Sequence, residues 1–126
     1  MTQEQKDLLL KDLCARLPYK LNAQIPDEYG GHTSVIESID IDGFVVDFEC
    51  VQIEIEYIKP YLFPLSSMTE GQKEEHKDLL DNQYSFDGNG NIFTLQDFYC
   101  KYHIDYRGLI PMGLALDATN LNIYEI

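Results

Sequence analysis

Apolar residues at the start of the chain recur with the period of an α-helix. Thr2, a residue that caps helices well, precedes this segment, and Pro18, which does not fit a helix interior, follows it. The spacing i, i+3, i+4, i+7 places four side chains on one helical face: Leu10, Leu13, Cys14 and Leu17. We therefore predict a helix over residues 2–17 whose apolar stripe faces the core.

Downstream of Pro18 the apolar period shortens to two, which is typical of strands with one buried face. Strands are predicted over four ranges, residues 20–25, 33–41, 44–49 and 51–57. Asp42 and Gly43 lie between the second and third of these and suit a hairpin turn. The inward positions change from even to odd numbers before the fourth strand, so a bulge or a break is predicted near Cys50. This order of short strands predicts an antiparallel meander.

The chain then crosses to a second helix. Residues 59–67 contain Pro60 and Pro64 and are predicted to form an irregular connection rather than a strand. Thr69 and Gln72 make a capping-box pattern, so a helix is predicted over residues 69–81. It is mostly polar and should lie on the surface, with three apolar anchors, Met68, Leu79 and Leu80.

Residues 87–91 are a turn cluster of Asp, Gly and Asn, and a third helix is predicted to begin at Thr94 and to end at Gly108. An aromatic stripe would run along it, formed by Leu95, Phe98, Tyr99, Tyr102 and Tyr106. The pattern after Gly113 is ambiguous, with residues 121–126 as a candidate last strand.

Together these elements predict one α+β domain over residues 1–126. An antiparallel β-meander of three to five strands would pack with the N-terminal helix and with two helices from the C-terminal half. The length of 126 residues fits a single core, and neither an internal repeat nor a linker divides the chain.

Charge narrows the classes of function. The chain has 22 acidic and 9 basic residues, a net charge of −13. Direct binding to nucleic acid or to an anionic membrane surface is not expected, because both need clustered Lys and Arg. Between Lys20 and Lys59 the sequence holds nine acids and no Lys or Arg. A basic protein is therefore the partner that the charge favours.

Cysteine usage and the N-terminus predict a cytoplasmic protein. The three cysteines, Cys14, Cys50 and Cys100, are odd in number and widely spaced, which suits a reducing compartment. The first residues do not form a signal peptide, and the chain has no apolar run long enough to span a membrane.

Patterns that could bind a metal are incomplete. Residues 87–91 resemble the start of a calcium loop, but Ile92 replaces its glycine and Phe98 its bidentate glutamate. Cys100 and His103 have the spacing of zinc ligands but lack a second close pair. We expect no metal and no cofactor, and we assign no catalytic residue from the sequence.

The acidic strand region offers a candidate surface. If the apolar positions of the fourth strand face the core, Glu54 and Glu56 point outward, joined across the meander by Asp47 and Glu49. These acids could receive a basic partner, or they could be a solvated face that prevents edge-to-edge aggregation.

Three further residues have two interpretations. Tyr61, Tyr106 and Arg107 are of the types that anchor interfaces, and they equally suit packing at the edge of a small core.

Two segments carry a resemblance. Residues 58–69 read IKPYLFPLSSMT, and residues 105–110 read DYRGLI, followed by GLAL at residues 113–116. Together with the opening helix, they resemble a family of small uncharacterised proteins from gut anaerobic bacteria and their prophages. The resemblance implies a bacterial or phage-related cytoplasmic protein, and it brings no activity or cofactor. Phe63 stands where many relatives are expected to have arginine.

Two functional classes follow. The favoured one is a non-enzymatic interaction or accessory protein, of bacterial or mobile-element origin, that uses the acidic surface. The alternative is a small enzyme whose site would need Tyr61, Cys100, His103 and Arg107 to converge in one pocket.

Overall fold

The computed structural model describes residues 1–29, 31, 33–40, 44–47, 52–86, 89–121 and 124, with only the backbone at positions 29 and 47. Over these residues the protein is α+β, as predicted, with a mixed sheet. The helices are α1 (Gln3–Arg16), α2 (Glu70–Asn82) and α3 (Leu95–Lys101). The strands are β1 (Asn22–Gln24), β2 (Thr33–Ile39), β3 (Phe44–Asp47), β4 (Gln52–Glu54), β5 (Lys59–Pro64), β6 (Tyr84–Phe86), β7 (Ile92–Thr94), β8 (Ile104–Asp105) and β9 (Leu116–Asp117).

Helix α1 begins where its cap predicts. The Thr2 hydroxyl accepts from the Gln5 amide at 3.1 Å, and the Gln5 side chain accepts from the Thr2 amide at 3.0 Å. The buried face of the helix is rotated by about one position relative to the predicted apolar stripe, and it includes two charged residues. Cys14 is exposed, and the fully buried positions are Leu9, Asp12, Leu13 and Arg16.

Strands β1 to β4 form an antiparallel meander in chain order. The register shifts between Ile36 and Ser38 on β2. The bulge predicted near Cys50 and the turn predicted at Asp42 and Gly43 lie outside the described residues.

Strand β5 corrects the prediction of an irregular crossing. It pairs antiparallel with β1 and parallel with β8 and β9, so the sheet is mixed and the purely antiparallel arrangement is wrong. Pro60, Tyr61 and Leu62 are consecutive and all buried, which is typical of a strand that is covered on both faces. The Phe63 amide completes the pairing by donating to the His103 carbonyl at 2.8 Å.

Two apolar clusters stabilise these elements. The larger joins Leu9 and Leu13 of α1 to the sheet and to the segment around Leu109. The smaller joins Leu79 of α2 to Phe98 of α3 and Ile104 of β8. Helix α2 is largely exposed, as predicted, although the expected anchor Leu80 faces outward.

Helix α3 is shorter than predicted. Thr94 caps it, but it ends at Lys101, and His103 then takes a left-handed conformation with φ of +57° that directs the chain into β8. Strands β6 and β7 form an antiparallel hairpin that the sequence pattern did not indicate, and residues 87 and 88 of the predicted turn cluster lie outside the described residues. Of residues 121–126, the structure describes only Leu121 and Tyr124, and neither lies in a strand.

None of the helices in the described part of the chain is both long and apolar enough to cross a membrane.

Candidate functional site

A surface groove of about 280 Å³, the α1–β4 groove, separates the N-terminal half of α1 from the end of the meander. Its lining combines three carboxylates, one ammonium group and apolar side chains. The residues are Gln3, Lys6, Asp7, Leu10, Phe44, Glu54, Ile55 and Glu56.

Helical spacing explains one wall of the groove. Positions 3, 6, 7 and 10 lie on a single face of α1. The opposite wall comes from β3 and β4, where Phe44 pairs directly with Glu54. The neighbouring Val45–Ile53 pair is fully buried, whereas Phe44 is half-buried and Glu54 is exposed. A 3₁₀ turn, Ile55–Tyr57, then brings Glu56 towards the helix.

One cation lies among the carboxylates of the groove. Lys6 Nζ is 3.2 Å from Glu56 Oε2. Hydrogen bonds from Lys6, and then the contact with Glu54, lower the pKa of the Glu56 carboxyl, which is therefore ionised at neutral pH. With Asp7, Glu54 and Glu56 against Lys6, the lining carries three negative charges and one positive charge, a balance of −2.

The four predicted acids are only partly brought together. Glu54 and Glu56 both line the groove. Asp47 is the last residue of β3, opposite Ile36, and Glu49 lies outside the described residues. The sequence pattern did not indicate Lys6 and Asp7, because nothing in the local pattern shows which strand the N-terminal helix will face.

Tyr61, Tyr106 and Arg107 pack against other groups. The side chain of Tyr61 is buried, and its carbonyl accepts from the Tyr124 hydroxyl at 2.7 Å. The ring of Tyr106 stacks on Tyr99 with centroids 4.8 Å apart. The guanidinium carbon of Arg107 lies 4.7 Å from the centroid of the Tyr106 ring. These contacts favour the core-packing interpretation of the three residues.

Arg107 also contributes to a buried charge cluster. Its Nε donates to Asp12 Oδ1 at 3.1 Å, while Arg16 Nε donates to Asp12 Oδ2 at 2.8 Å. Arg16 reaches further, to the Ile104 carbonyl at 2.6 Å. Both Asp12 and Arg16 are fully buried. The i, i+4 spacing of Asp12 and Arg16 beside Leu9 and Leu13 is a signal that could have identified this pair from the sequence.

Cys100 and His103 are both buried. Burial raises the pKa of the Cys100 thiol, which is therefore protonated at neutral pH. Burial, and then the charge of Arg16, lower the pKa of His103 to about 4, so its ring is neutral. The ring stacks on Tyr124 with centroids 3.8 Å apart, and its Nδ1 has no hydrogen-bond partner among the described residues.

The alternative enzyme site would need these two residues in a pocket with Tyr61 and Arg107. Tyr61 lines a second groove, of about 420 Å³, and Cys100, His103 and Arg107 are not among its lining residues. The other residues that line it are Gln24, Ile25, Pro26, Asp27, Gly31 and Thr33. With its pKa lowered to about 4, the His103 imidazole is a weak base, and burial raises the pKa of the Cys100 thiol, so the pair is poorly suited to form a thiolate nucleophile.

Within the described ranges, no three or more His, Cys, Asp or Glu side chains are grouped so that they could hold a metal ion.

Comparison of the chain with protein-family models, with curated proteins and with solved structures finds no match.

Proposed function

We propose that the protein is a non-enzymatic interaction protein whose α1–β4 groove receives a basic side chain of a protein partner. The observation that carries the proposal is the lining of the groove, in which the carboxylates of Asp7, Glu54 and Glu56 outnumber the single ammonium group of Lys6.

The groove has the chemistry that a lysine or arginine side chain requires. Such a side chain buries an aliphatic stem and keeps its charged end near water or a carboxylate. Leu10, Phe44 and Ile55 offer apolar contact for the stem, and Glu54, which is exposed, offers a carboxylate for the cation. The net charge of −13 would speed the encounter with a basic partner.

Lys6 occupies the position that a partner cation would compete for. Its ion pair with Glu56 is partly exposed, so this ion pair contributes little free energy. We expect Lys6→Gln to tighten binding of a basic partner by roughly threefold to tenfold, because the variant removes an internal competitor and raises the net negative charge of the groove.

The resemblance of the sequence to small proteins of gut anaerobes and their prophages guides the choice of partner. We propose a bacterial or mobile-element origin and a cytoplasmic location, so lysate of a gut anaerobe is the appropriate source of partners. Immobilised protein should capture a basic protein from this lysate at low salt and release it as the salt concentration rises.

A matched pair of double variants tests the site. Glu54→Gln with Glu56→Gln should abolish capture. Glu28→Gln with Glu74→Gln removes the same number of charges from exposed positions outside the groove and should preserve capture. Equal loss of capture in both double variants would show that only total charge matters and would reject the groove as the binding site.

A further inference from the structure

The β6–β7 hairpin exposes an apolar face. Tyr84, Phe86 and Ile92 have relative exposures of 49%, 64% and 63%. Phe86 pairs directly with Ile92, and Tyr84 lies two residues before Phe86, so the three side chains share one face of the hairpin. The rings of Tyr84 and Phe86 meet edge to face with centroids 5.7 Å apart.

The other face of the hairpin is already in use. Phe93 is half-buried and packs against the cluster of Leu79, Phe98 and Ile104. Lys101 Nζ lies 5.6 Å from the centroid of the Phe93 ring, which places this cation on the packed side. Among the described residues, β6 and β7 pair only with each other. A two-stranded sheet is marginal by itself, so one packed face holds the hairpin in place and leaves the second face available.

Charge around the hairpin restricts what can cover the exposed face. Between Lys77 and Lys101 the chain contains no Lys or Arg and four acids, Asp78, Asp81, Asp87 and Asp97. A second copy of the chain would bring the same acids and a further net charge of −13. An anionic membrane surface would be repelled in the same way. Apolar side chains flanked by Lys or Arg complement both the aromatic face and its acidic surroundings.

We propose that the face formed by Tyr84, Phe86 and Ile92 is a docking surface for a cationic amphipathic segment of another protein. The apolar side chains of that segment would pack on the three residues, and its Lys or Arg side chains would meet acids such as Asp81. This surface is separate from the α1–β4 groove, and the proposal does not depend on the function of the groove.

Three synthetic peptides of equal length serve as probes. The first alternates Lys with Leu and Phe, the second replaces the apolar residues with Ser, and the third replaces Lys with Glu. Fluorescence anisotropy should show that the Lys–Leu–Phe peptide binds at least about tenfold more tightly than the Lys–Ser peptide, and that the Glu peptide does not bind. Hydrogen exchange should slow at residues 84–86 and 92–94 when the first peptide is bound.

Variants identify the surface that the peptide uses. The double variant Phe86→Ser with Ile92→Ser should bind the Lys–Leu–Phe peptide at least about tenfold more weakly than the wild-type protein does. The matched control, Leu65→Ser with Met112→Ser, removes two exposed apolar side chains elsewhere and should leave the affinity unchanged. Circular dichroism of each variant should show that the fold is retained. Glu54→Gln with Glu56→Gln, which disables the groove, should also leave binding of this peptide unchanged.

Several results would overturn the proposal. They are equal affinity of the wild-type protein and the hairpin variant, absence of binding by the Lys–Leu–Phe peptide, and loss of its binding in the groove variant. A concentration-dependent dimer in sedimentation that Phe86→Ser abolishes would assign the face to a second copy. Binding of vesicles of anionic lipid that the same variant abolishes would assign it to a membrane.

Discussion

Arg16 joins α1 to the C-terminal half of the chain through a single buried guanidinium group. It donates to Asp12 on its own helix, to the Ile104 carbonyl at 2.6 Å and to the Tyr99 carbonyl at 3.4 Å. Two of these acceptors lie more than 80 positions along the chain, so the guanidinium group fixes the position of α1 relative to α3 and β8. A buried charge is tolerated there because carboxylate and carbonyl oxygens surround it.

Removal of Asp12 should therefore be costly. In Asp12→Ala, Arg16 stays buried without its counter-charge, and we expect the free energy of unfolding to fall by about 3 to 5 kcal/mol. Denaturant titration measures the difference. Asp7→Ala, on the exposed side of the same helix, should change stability by less than about 0.5 kcal/mol. A loss of stability below about 1 kcal/mol for Asp12→Ala would mean that the buried charge cluster of Asp12, Arg16 and Arg107 is not a strong constraint on the fold.

His103 gives the stability of the protein a defined pH dependence. Its pKa falls from 6.5 to about 4 on folding, mainly because its ring is buried, with Arg16 adding to the effect. Between these pH values the unfolded chain binds more protons than the folded chain. The contribution of His103 to stability is therefore complete above pH 6.5 and declines as the pH falls towards 4, by at most about 3 kcal/mol.

The variant His103→Asn isolates this contribution. Asparagine tolerates the φ of +57° at this position and does not titrate in the range. Denaturant titrations between about pH 4 and 7 should show a smaller decline in stability for the variant than for the wild-type protein. Identical slopes would show that His103 is not the group responsible.

At the scale of elements, helices were predictable and β5 was not. The N-terminal caps Thr2, Thr69 and Thr94 mark the starts of all three helices in the described part of the chain, because capping is a local interaction that the sequence shows directly. The buried run Pro60–Leu62 of β5 has no alternation to reveal it. Its place in the sheet depends on β8 and β9, which lie about 40 to 55 positions further along the chain.

Substitution of two glycines by alanine is expected to change the stability of the protein in opposite directions. Gly31 has a φ of +59°, and a Cβ there would lie 2.5 Å from Asp27 Oδ1 and 3.2 Å from Asp27 Cα. Gly31→Ala should lower the free energy of unfolding by about 1 to 2 kcal/mol. A methyl group added at Gly71 in α2 would meet no atom within 4 Å beyond its own stretch of helix, so Gly71→Ala should stabilise by up to about 1 kcal/mol. Thermal unfolding measures both effects. A shift of the melting temperature in the same direction for both variants would contradict this account.

At the scale of the whole molecule, the candidate site was only half predictable. Alternation along the fourth predicted strand pointed to Glu54, and the nine acids between Lys20 and Lys59 pointed to its neighbourhood. The cation Lys6 and the apolar side chain of Leu10 come from a helix more than about 40 positions away. The other candidates, Tyr61, Tyr106 and Arg107, became part of the packing around Tyr124, Tyr99 and Asp12.

Titration of ¹⁵N-labelled protein with a short peptide of Lys and Ser tests the α1–β4 groove most directly. We predict amide shift changes concentrated at residues such as Lys6, Leu10, Phe44 and Ile55, which weaken as salt is added. They should disappear in the Glu54→Gln, Glu56→Gln variant and persist in the Glu28→Gln, Glu74→Gln variant. Shift changes spread evenly over all acidic surfaces, or lost equally in both variants, would contradict a binding groove at this site.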